Sequence, residues 1–262
     1  MNDLIRLTQD GAVAQLVLNR PEKRNAINLP LLEDLDAALR QVERMAGLRT
    51  LIVRGEGKTF SAGVDPALFA AQAERFGPDW RLHSRAITAG AQAIFGRLER
   101  LELPTLCLIH GHCLGMALEL ALACDIRIAA EGAILGLPET RIGLLPDVGG
   151  TTRLTRLVGP ARAKELIFSG RQFDAALAER WGIVNYVTPL DQLEARAMEL
   201  AAEIGQAAPL AVGMAKRVID GLSDLERGQQ LEAWAQSLLF QSEDFQEAMA
   251  SFMQRPPHFK GR

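Results

Sequence analysis

Cysteine and histidine are scarce in this sequence, which has three cysteines and four histidines among 262 residues. Cys107, Cys113 and Cys124 show no C-x-x-C spacing, and an odd number of cysteines does not suit a disulfide framework. We therefore expect reduced thiols in the core. His110 and His112 flank a single glycine, which is not a typical spacing for metal ligands. The sequence predicts neither a disulfide-stabilised fold nor a metal site.

An excess of charge of one sign is also lacking. The 29 basic and 32 acidic residues are interspersed and leave a net charge of -3, without a basic tract of the kind that binds nucleic acid. No apolar run approaches the ~18 residues of a membrane span, and the first residues lack the charged-then-apolar order of a signal peptide. We predict a cytoplasmic chain that binds neither nucleic acid nor membranes.

Three common motifs are missing. Gly57-Lys58-Thr59 follows a predicted strand, but Ile52 occupies the position where a phosphate-binding loop requires glycine. Neither G-x-G-x-x-G nor G-x-S-x-G occurs, so no motif supports dinucleotide binding or a nucleophile elbow.

Strand and helix patterns alternate through the first half of the sequence. Alternating residues at 4–8 and 12–18 flank Asp10-Gly11, which predicts a β-hairpin. Asn28 can cap a helix with Pro30 in its first turn, and helical spacing continues to Gly47. Further strands are predicted at 50–54, 106–110, 125–130 and 133–137, with helices at about 80–101 and 111–124. This alternation predicts an α/β fold with a mainly parallel sheet.

The pattern becomes mostly helical after Gly149. Helices are predicted at about 160–169, 174–180, 190–206, 209–220 and 224–253, with one strand at 184–187. We therefore expect a helical C-terminal region that begins between residues 180 and 208.

Glu119 interrupts an otherwise apolar helical pattern. Burying a carboxylate without partners costs several kcal/mol or raises its pKa toward neutrality, where a general acid or base works. The alternative is a structural glutamate that accepts a hydrogen bond from a backbone amide.

Two loops rich in small residues follow predicted strands, at 60–65 and 111–116. Free amides at such loops can stabilise an oxyanion, although small residues also serve simply to allow close packing. Glu139 ends another predicted strand, 20 residues after Glu119. That length of chain allows both carboxylates to face one cleft, while the alternative for Glu139 is a solvated loop acid.

Four segments, at 19–26, 60–65, 111–125 and 137–150, resemble in order and spacing the enoyl-CoA hydratase/isomerase (crotonase) superfamily. The resemblance covers nearly the whole chain. It implies a spiral core of ββα repeats over residues 1–195 and a helical trimerisation region over 196–262. It also implies an acyl-CoA thioester substrate, a homotrimer or homohexamer, and no cofactor apart from the CoA of the substrate.

The resemblance also implies residue roles in the hydration of a trans-2-enoyl-CoA. The backbone amides of Val64 and Met116 would form an oxyanion hole, and Glu119 and Glu139 would position the water. Which glutamate is acid and which is base stays open. Substrate-binding residues implied in the same way are Arg24, Ala62, Val64, Asp65, Pro66, Ala67 and Lys260.

Two positions depart from the pattern of simple hydratases. Met116 stands where many relatives have glycine, so its side chain can reshape the acyl pocket. Asp147 adds a third candidate catalytic carboxylate and suits an enoyl-CoA or dienoyl-CoA isomerase, in which a double bond migrates. An alternative is that Asp147 caps a helix that begins near Gly149. A non-catalytic CoA-binding subunit is the third hypothesis.

Overall fold

The computed structural model of the chain describes residues 3–221, 242–251, 255 and 257–262. Its strands are β1 (Ile5–Asp10), β2 (Val13–Leu18), β3 (Thr50–Gly55), β4 (Thr105–Ile109), β5 (His112–Leu114), β6 (Ile126–Ala130), β7 (Ile134–Gly136), β8 (Gln172–Asp174) and β9 (Tyr186–Thr188). Its helices are α1 (Leu29–Val42), α2 (Ala67–Phe76), α3 (Ser84–Glu99), α4 (Met116–Leu122), α5 (Gly150–Ser169), α6 (Ala175–Arg180), α7 (Leu193–Gly205), α8 (Pro209–Gly221) and α9 (Glu243–Ser251).

The strands form two sheets. Six strands pair in the order β1-β2-β3-β4-β6-β9, and every pair except the β1-β2 hairpin is parallel. Three strands form the second sheet in the order β5-β7-β8. Because β4 continues into β5 and β6 into β7, the chain steps repeatedly from the first sheet to the second. Parallel strands place their carboxyl ends at one edge, where loops can build a site.

The first 60 residues follow the predicted pattern. β1 and β2 form the expected hairpin around Gly11, whose φ of +55° is readily adopted by glycine. The Asn28 side chain accepts a hydrogen bond of 3.0 Å from the Leu31 amide and caps α1. Leu31, Leu35 and Leu39 of α1 are fully buried in the main core.

The predicted helix at 111–124 is wrong in its first third. Cys113 pairs with Leu135 in the second sheet, so residues 112–114 form a strand and the helix begins at Met116. Gly111 has a φ of +58°, and a Cβ there would lie 2.4 Å from the Lys58 carbonyl oxygen. Helix α2 was not predicted at all. Helix α5 starts ten residues before the predicted position and is interrupted at Gly159, whose φ is +77°.

Helix α7 packs on the outer face of the first sheet. Its residues Leu193, Ala197 and Leu200 bury themselves against Leu106 and Ile128 in a second core. The predicted division between residues 195 and 196 falls inside this helix, whose later residues therefore pack with the sheet. Most of the predicted helix at 224–253 lies outside the described residues. None of the described helices is both long and apolar enough to span a lipid bilayer.

Candidate active site

A cavity of about 980 Å³ lies among α1, α2, α3 and the loop that precedes α5. Most of its wall is apolar and comes from the helices. Four acidic residues line it, and three of them, Glu119, Glu139 and Asp147, were predicted to be catalytic. The fourth is Glu33, on α1. Val64 and Met116, whose backbone amides were predicted to form the oxyanion hole, line the same space. The structure thus brings together all five residues for which catalytic or oxyanion roles were predicted.

Glu119 is almost completely buried on α4, with 2% of its surface exposed. Its Oε1 accepts hydrogen bonds of 2.8 Å from the amides of Val148 and Gly150, at the start of α5. These donors favour the ionised carboxylate, but burial outweighs them. Together with the nearby charge of Glu139, burial raises the pKa of Glu119 to about 7. Glu119 can therefore hold or release a proton near neutral pH.

Glu139 lies in a short 3₁₀-helix at Glu139–Ile142, directly after β7. Its Oε2 is buried and has no hydrogen-bond partner among the described residues. Burial, the main cause, and the charge of Asp147 raise the pKa of Glu139 above its ordinary value. A buried polar atom without a partner is costly, so this oxygen is suited to bind a water or a substrate atom in the cavity.

The amides of Val64 and Met116 are both available as donors. Neither N–H donates a hydrogen bond to another described residue. The two loops run side by side, because Ser61 and Cys113 form a parallel bridge. A Cβ on Gly63 would lie 2.4 Å from the Leu114 carbonyl oxygen and 3.7 Å from the Met116 nitrogen. Met116 also opens α4, where the helix dipole favours negative charge. The two amides thus belong to neighbouring loops that line one cavity.

Gly115 separates the Met116 amide from Glu139. Its backbone has φ +54° and ψ -127°, a conformation that residues with a side chain rarely adopt. A Cβ at this position would lie 2.8 Å from Glu139 Oε1. Glycine is therefore required both by the turn into α4 and by the space that the Glu139 carboxyl occupies.

Asp147 is exposed and faces α3. Its Oδ2 accepts a hydrogen bond of 2.6 Å from Thr88 Oγ1, and its carbonyl accepts one of 2.6 Å from Gln92 Nε2. The interpretation of Asp147 as a helix cap is wrong, since Gly149 is the N-cap of α5 and no side chain caps that helix. Asp147 instead attaches the loop before α5 to α3.

Within the predicted CoA-binding loop, Val64 lines the cavity, whereas Ala62, Asp65, Pro66 and Ala67 do not. Asp65 forms an ion pair of 2.5 Å with Arg20 and accepts a hydrogen bond of 3.0 Å from the Ala67 amide. Ala67 is the first residue of α2, and Pro66 precedes it. The Arg20 contact is the main cause that lowers the pKa of Asp65. The loop therefore carries a fixed carboxylate at the start of α2.

Arg24 is next to this loop, because its carbonyl accepts a hydrogen bond of 2.9 Å from the Ala62 amide. Its side chain is exposed. Lys260 lies elsewhere. Its amide donates to Asp244 at 2.6 Å, and the neighbouring Phe259 carbonyl accepts from Arg49, just before β3 begins. The Val64 loop follows the other end of β3, so Lys260 sits at the opposite edge of the sheet within one chain. The binding roles of Arg24 and Lys260 stay predictions.

Sequence reasoning missed the residues that hold the site in place. The amides of Val148 and Gly150, the Thr88 hydroxyl and the Arg20 guanidinium were not predicted to have any role. The sequence did contain a clue at Gly149-Gly150. Glycine is needed at position 150 because a Cβ there would lie 2.9 Å from Glu119 Oε1. The sequence contained no clue to the contact between Thr88 and Asp147, because these residues are 59 positions apart.

Comparisons with known proteins identify the family of the chain. The family model described as Enoyl-CoA hydratase/isomerase matches residues 8–262. A probable enoyl-CoA hydratase of Mycobacterium tuberculosis is 36% identical, over 99% of both chains. A crotonyl-CoA hydratase of Syntrophomonas wolfei is 35% identical, over 96% of this chain and 95% of its own. The crystal structure of an enoyl-CoA hydratase from Bacillus anthracis superposes with a TM-score of 0.91 at 37% identity, covering 99% of this chain and 100% of its own.

These matches confirm the expected fold class, because two solved structures of relatives superpose on nearly the whole chain with TM-scores of 0.91 and 0.88. They also set aside the hypothesis of a non-catalytic subunit, since the full-length relatives are enzymes. The chain belongs to the enoyl-CoA hydratase/isomerase family and is an enzyme of that family.

Proposed function

We propose that this enzyme adds water across the 2,3 double bond of a trans-2-enoyl-CoA. Glu119 and Glu139 would act as the acid–base pair, and the Val64 and Met116 amides as the oxyanion hole. The main support for this proposal is that four groups share one cavity. Burial raises the pKa of the Glu119 and Glu139 carboxyl groups, and the Val64 and Met116 amides donate no hydrogen bond to a described residue. The names of full-length relatives, which include hydratases, support the same reaction.

The oxyanion hole would act on the thioester carbonyl. When water attacks the β-carbon, the π electrons of the double bond move toward the thioester and its oxygen becomes enolate-like. Two N–H donors fixed in advance can stabilise that charge without reorganisation, and losing one such donor typically costs about 3 kcal/mol. The dipole of α4 would add to the effect at Met116.

The glutamate pair would transfer one proton of the water. One carboxylate accepts this proton as the water oxygen bonds to the β-carbon, while the other proton of the water stays in the new hydroxyl group. The pair delivers one proton to the α-carbon, so it ends with the number of protons that it held at the start. Two interacting carboxyls titrate as a unit, so the acid and base roles belong to the pair. No cofactor beyond the CoA of the substrate enters this scheme.

The loop at 62–67 would hold the CoA portion of the substrate. Val64 contributes both the oxyanion amide and a contact, and the fixed carboxylate of Asp65 stands at the start of α2. We propose the remaining contacts at Ala62, Pro66 and Ala67. Arg24 would approach a phosphate from the exposed side.

Replacing either glutamate by glutamine tests this proposal. General acid–base groups typically contribute 10²–10⁴-fold, so kcat for water addition should fall by about that factor in Glu119→Gln and in Glu139→Gln. The Glu131→Gln variant is the control, because Glu131 is an exposed glutamate. Near-normal turnover in both site variants would overturn the proposal, whereas retained binding of a saturated acyl-CoA would show that only chemistry was lost.

Double-bond migration is the second candidate function, and Asp147 favours it. The Asp147 carboxylate reaches the same cavity as the glutamates and is oriented by Thr88. A third carboxylate would suit proton transfer between the α-carbon and a more distant carbon. The test is Asp147→Asn with a 3-enoyl-CoA. Loss of migration with hydration retained would support an isomerase, and unchanged migration would remove this alternative.

A further inference from the structure

We propose that the substrate carries an extended apolar acyl chain, of medium length or longer, in preference to a short crotonyl group. This inference rests on the proposed function, because it assumes that the thioester carbonyl sits at Val64 and Met116. It concerns the part of the cavity that lies beyond the glutamates.

The cavity is large for a short acyl group. Its volume of about 980 Å³ lies near the upper end of the ~300–1,000 Å³ that sites for drug-sized ligands occupy. A crotonyl group extends only one methyl group beyond its double bond. The apolar space that it leaves unfilled would hold water against apolar walls, whereas a longer chain would displace that water.

The cavity wall continues well past the catalytic groups. Thr88 lies close to the carboxyl groups of the site. It donates a hydrogen bond to Asp147, and the next residue, Val148, donates its amide hydrogen bond to Glu119. Lining residues extend from there back along α3 to Ser84 and then to Trp80. From the rise per residue of α- and 3₁₀-helices, the backbone from Thr88 to Trp80 extends over roughly 14 Å.

Aromatic side chains form the far end of this wall. The rings of Phe69 and Trp80 are 6.2 Å apart in a tilted arrangement, and Phe76 stacks on His83 at 4.9 Å. Phe69, Phe76 and Trp80 all line the cavity. Aromatic rings offer a large apolar surface at little conformational cost, so this end suits hydrocarbon.

Small residues on α3 keep the space open. Ala86, Gly90 and Ala91 line the cavity, while Ala89 and Ala93 on the same helix are exposed and do not. Met116 lines the same cavity, and its unbranched and flexible side chain can adapt to a chain that passes it. The width of the acyl path therefore depends on side-chain size at α3.

A competing occupant is a chain that ends in a carboxylate. Arg75 and Arg81 also line the cavity, and neither forms an ion pair within the described part of the chain. Their guanidinium groups lie over the Phe76 and Trp80 rings, at 5.5 and 5.2 Å from the ring centres. Both arginines are exposed, so we place them at the rim, outside the apolar path.

The chain-length preference of the unmodified enzyme is the first test. Crotonyl-CoA, trans-2-octenoyl-CoA and trans-2-dodecenoyl-CoA are compared by kcat/KM for hydration. Because each buried methylene contributes favourably, we expect the two longer esters to exceed crotonyl-CoA by about tenfold or more. Equal or faster hydration of crotonyl-CoA would overturn the inference while supporting the proposed function. Faster hydration of a chain of equal length that ends in a carboxylate would also overturn it.

A pair of variants on α3 locates the path. Ala91→Phe fills the cavity and should lower the dodecenoyl-to-crotonyl ratio of kcat/KM about tenfold, whereas Ala93→Phe should leave that ratio as it is. An unchanged ratio in a folded Ala91→Phe protein would overturn the inference. If Ala91→Phe fails to fold, Ser84→Phe at the exposed end of the path should lower dodecenoyl turnover more than octenoyl turnover, and an equal effect on both esters would overturn the inference.

Binding separates this inference from the proposed function. If none of the three esters gains water, the proposed function fails. The affinities for saturated dodecanoyl-CoA and butyryl-CoA, which do not react, then still report on the pocket. Tighter binding of dodecanoyl-CoA would support the inference, and equal affinities would overturn it.

Discussion

At the scale of single residues, Glu119 shows two opposing effects on one carboxyl group. Its two amide donors and the start of α5 favour the charged form, and burial opposes it. Burial wins, because the pKa of Glu119 rises to about 7. The enzyme therefore holds a group that is expensive for folding and well suited to proton transfer at neutral pH.

This cost predicts a pH-dependent stability. Glu119 is protonated in both the folded and unfolded states below pH 4.5, and its folded form must ionise as the pH rises through about 7. The raised pKa therefore costs no unfolding free energy at low pH. Its full cost is present once the pH has risen above about 7. We expect Glu119→Gln to gain up to about 3 kcal/mol of unfolding free energy relative to wild type between pH 5 and pH 8. Denaturant unfolding at pH 5 and pH 8 measures the difference in unfolding free energy between variant and wild type, with Glu131→Gln as the surface control. The same difference at both pH values would contradict the raised pKa of Glu119.

Gly115 gives a second prediction for a single residue. In Gly115→Ala the new methyl group would meet Glu139 Oε1 at 2.8 Å, and alanine would have to adopt the φ of +54° that glycine has at this position. Gly132→Ala is the control, since Gly132 also has a positive φ, of +76°, but no atom would lie within 4 Å of its Cβ. Both variants should lose about 1 kcal/mol or more of stability, and only Gly115→Ala should lose hydratase activity, by about tenfold or more. Equal activity in the two variants would show that Glu139 is not displaced.

At the scale of elements, Asn25 connects the turn after β2 to the loop that carries Val64. It is fully buried, and its Nδ2 lies within 3.0 Å of the carbonyls of Glu56, Thr59 and Phe60. Ser61 Oγ donates to the Asn25 carbonyl at 2.7 Å. These bonds connect the turn after β2 to the loop after β3, and so they set the position of Val64.

Asn25→Asp tests this connection. A carboxylate provides no N–H donor and would face three carbonyl oxygens, so we expect a loss of about 2–3 kcal/mol of stability together with reduced activity. Asn28→Ala removes only the cap of α1 and should cost about 1 kcal/mol while activity is retained. Thermal unfolding and kcat/KM of both variants check this, and an Asn25→Asp enzyme as stable as wild type would contradict it.

Local pattern predicted most elements, and it failed where distant residues decide the conformation. The hairpin and the capped helix α1 depend on neighbours in sequence, and both are as predicted. Residues 112–114 were predicted as helix because they lie in a run rich in small and apolar residues, yet their pairing with β7 makes them a strand. In the site, an acid in an apolar helix identified Glu119. Its partners at Val148 and Gly150 are about 30 positions away and could not be predicted from spacing.

At the scale of the whole molecule, several large apolar side chains remain exposed on the single chain. Phe168 is 74% exposed, Leu82 83% and Ile142 66%. Scattered exposed residues are common, but an assembly would cover some of them. We predict a homotrimer or homohexamer, to be measured by light scattering across a range of concentrations. A mass equal to one chain at all concentrations would contradict this prediction.

The most direct test of the central claim is mass spectrometry of trans-2-enoyl-CoA esters after incubation with the enzyme. We expect the thioester to gain the mass of one water in the presence of wild-type enzyme, and this gain to fall to near background in Glu119→Gln and Glu139→Gln. An unchanged mass with a migrated double bond, or a gain of water that persists in both variants, would contradict it.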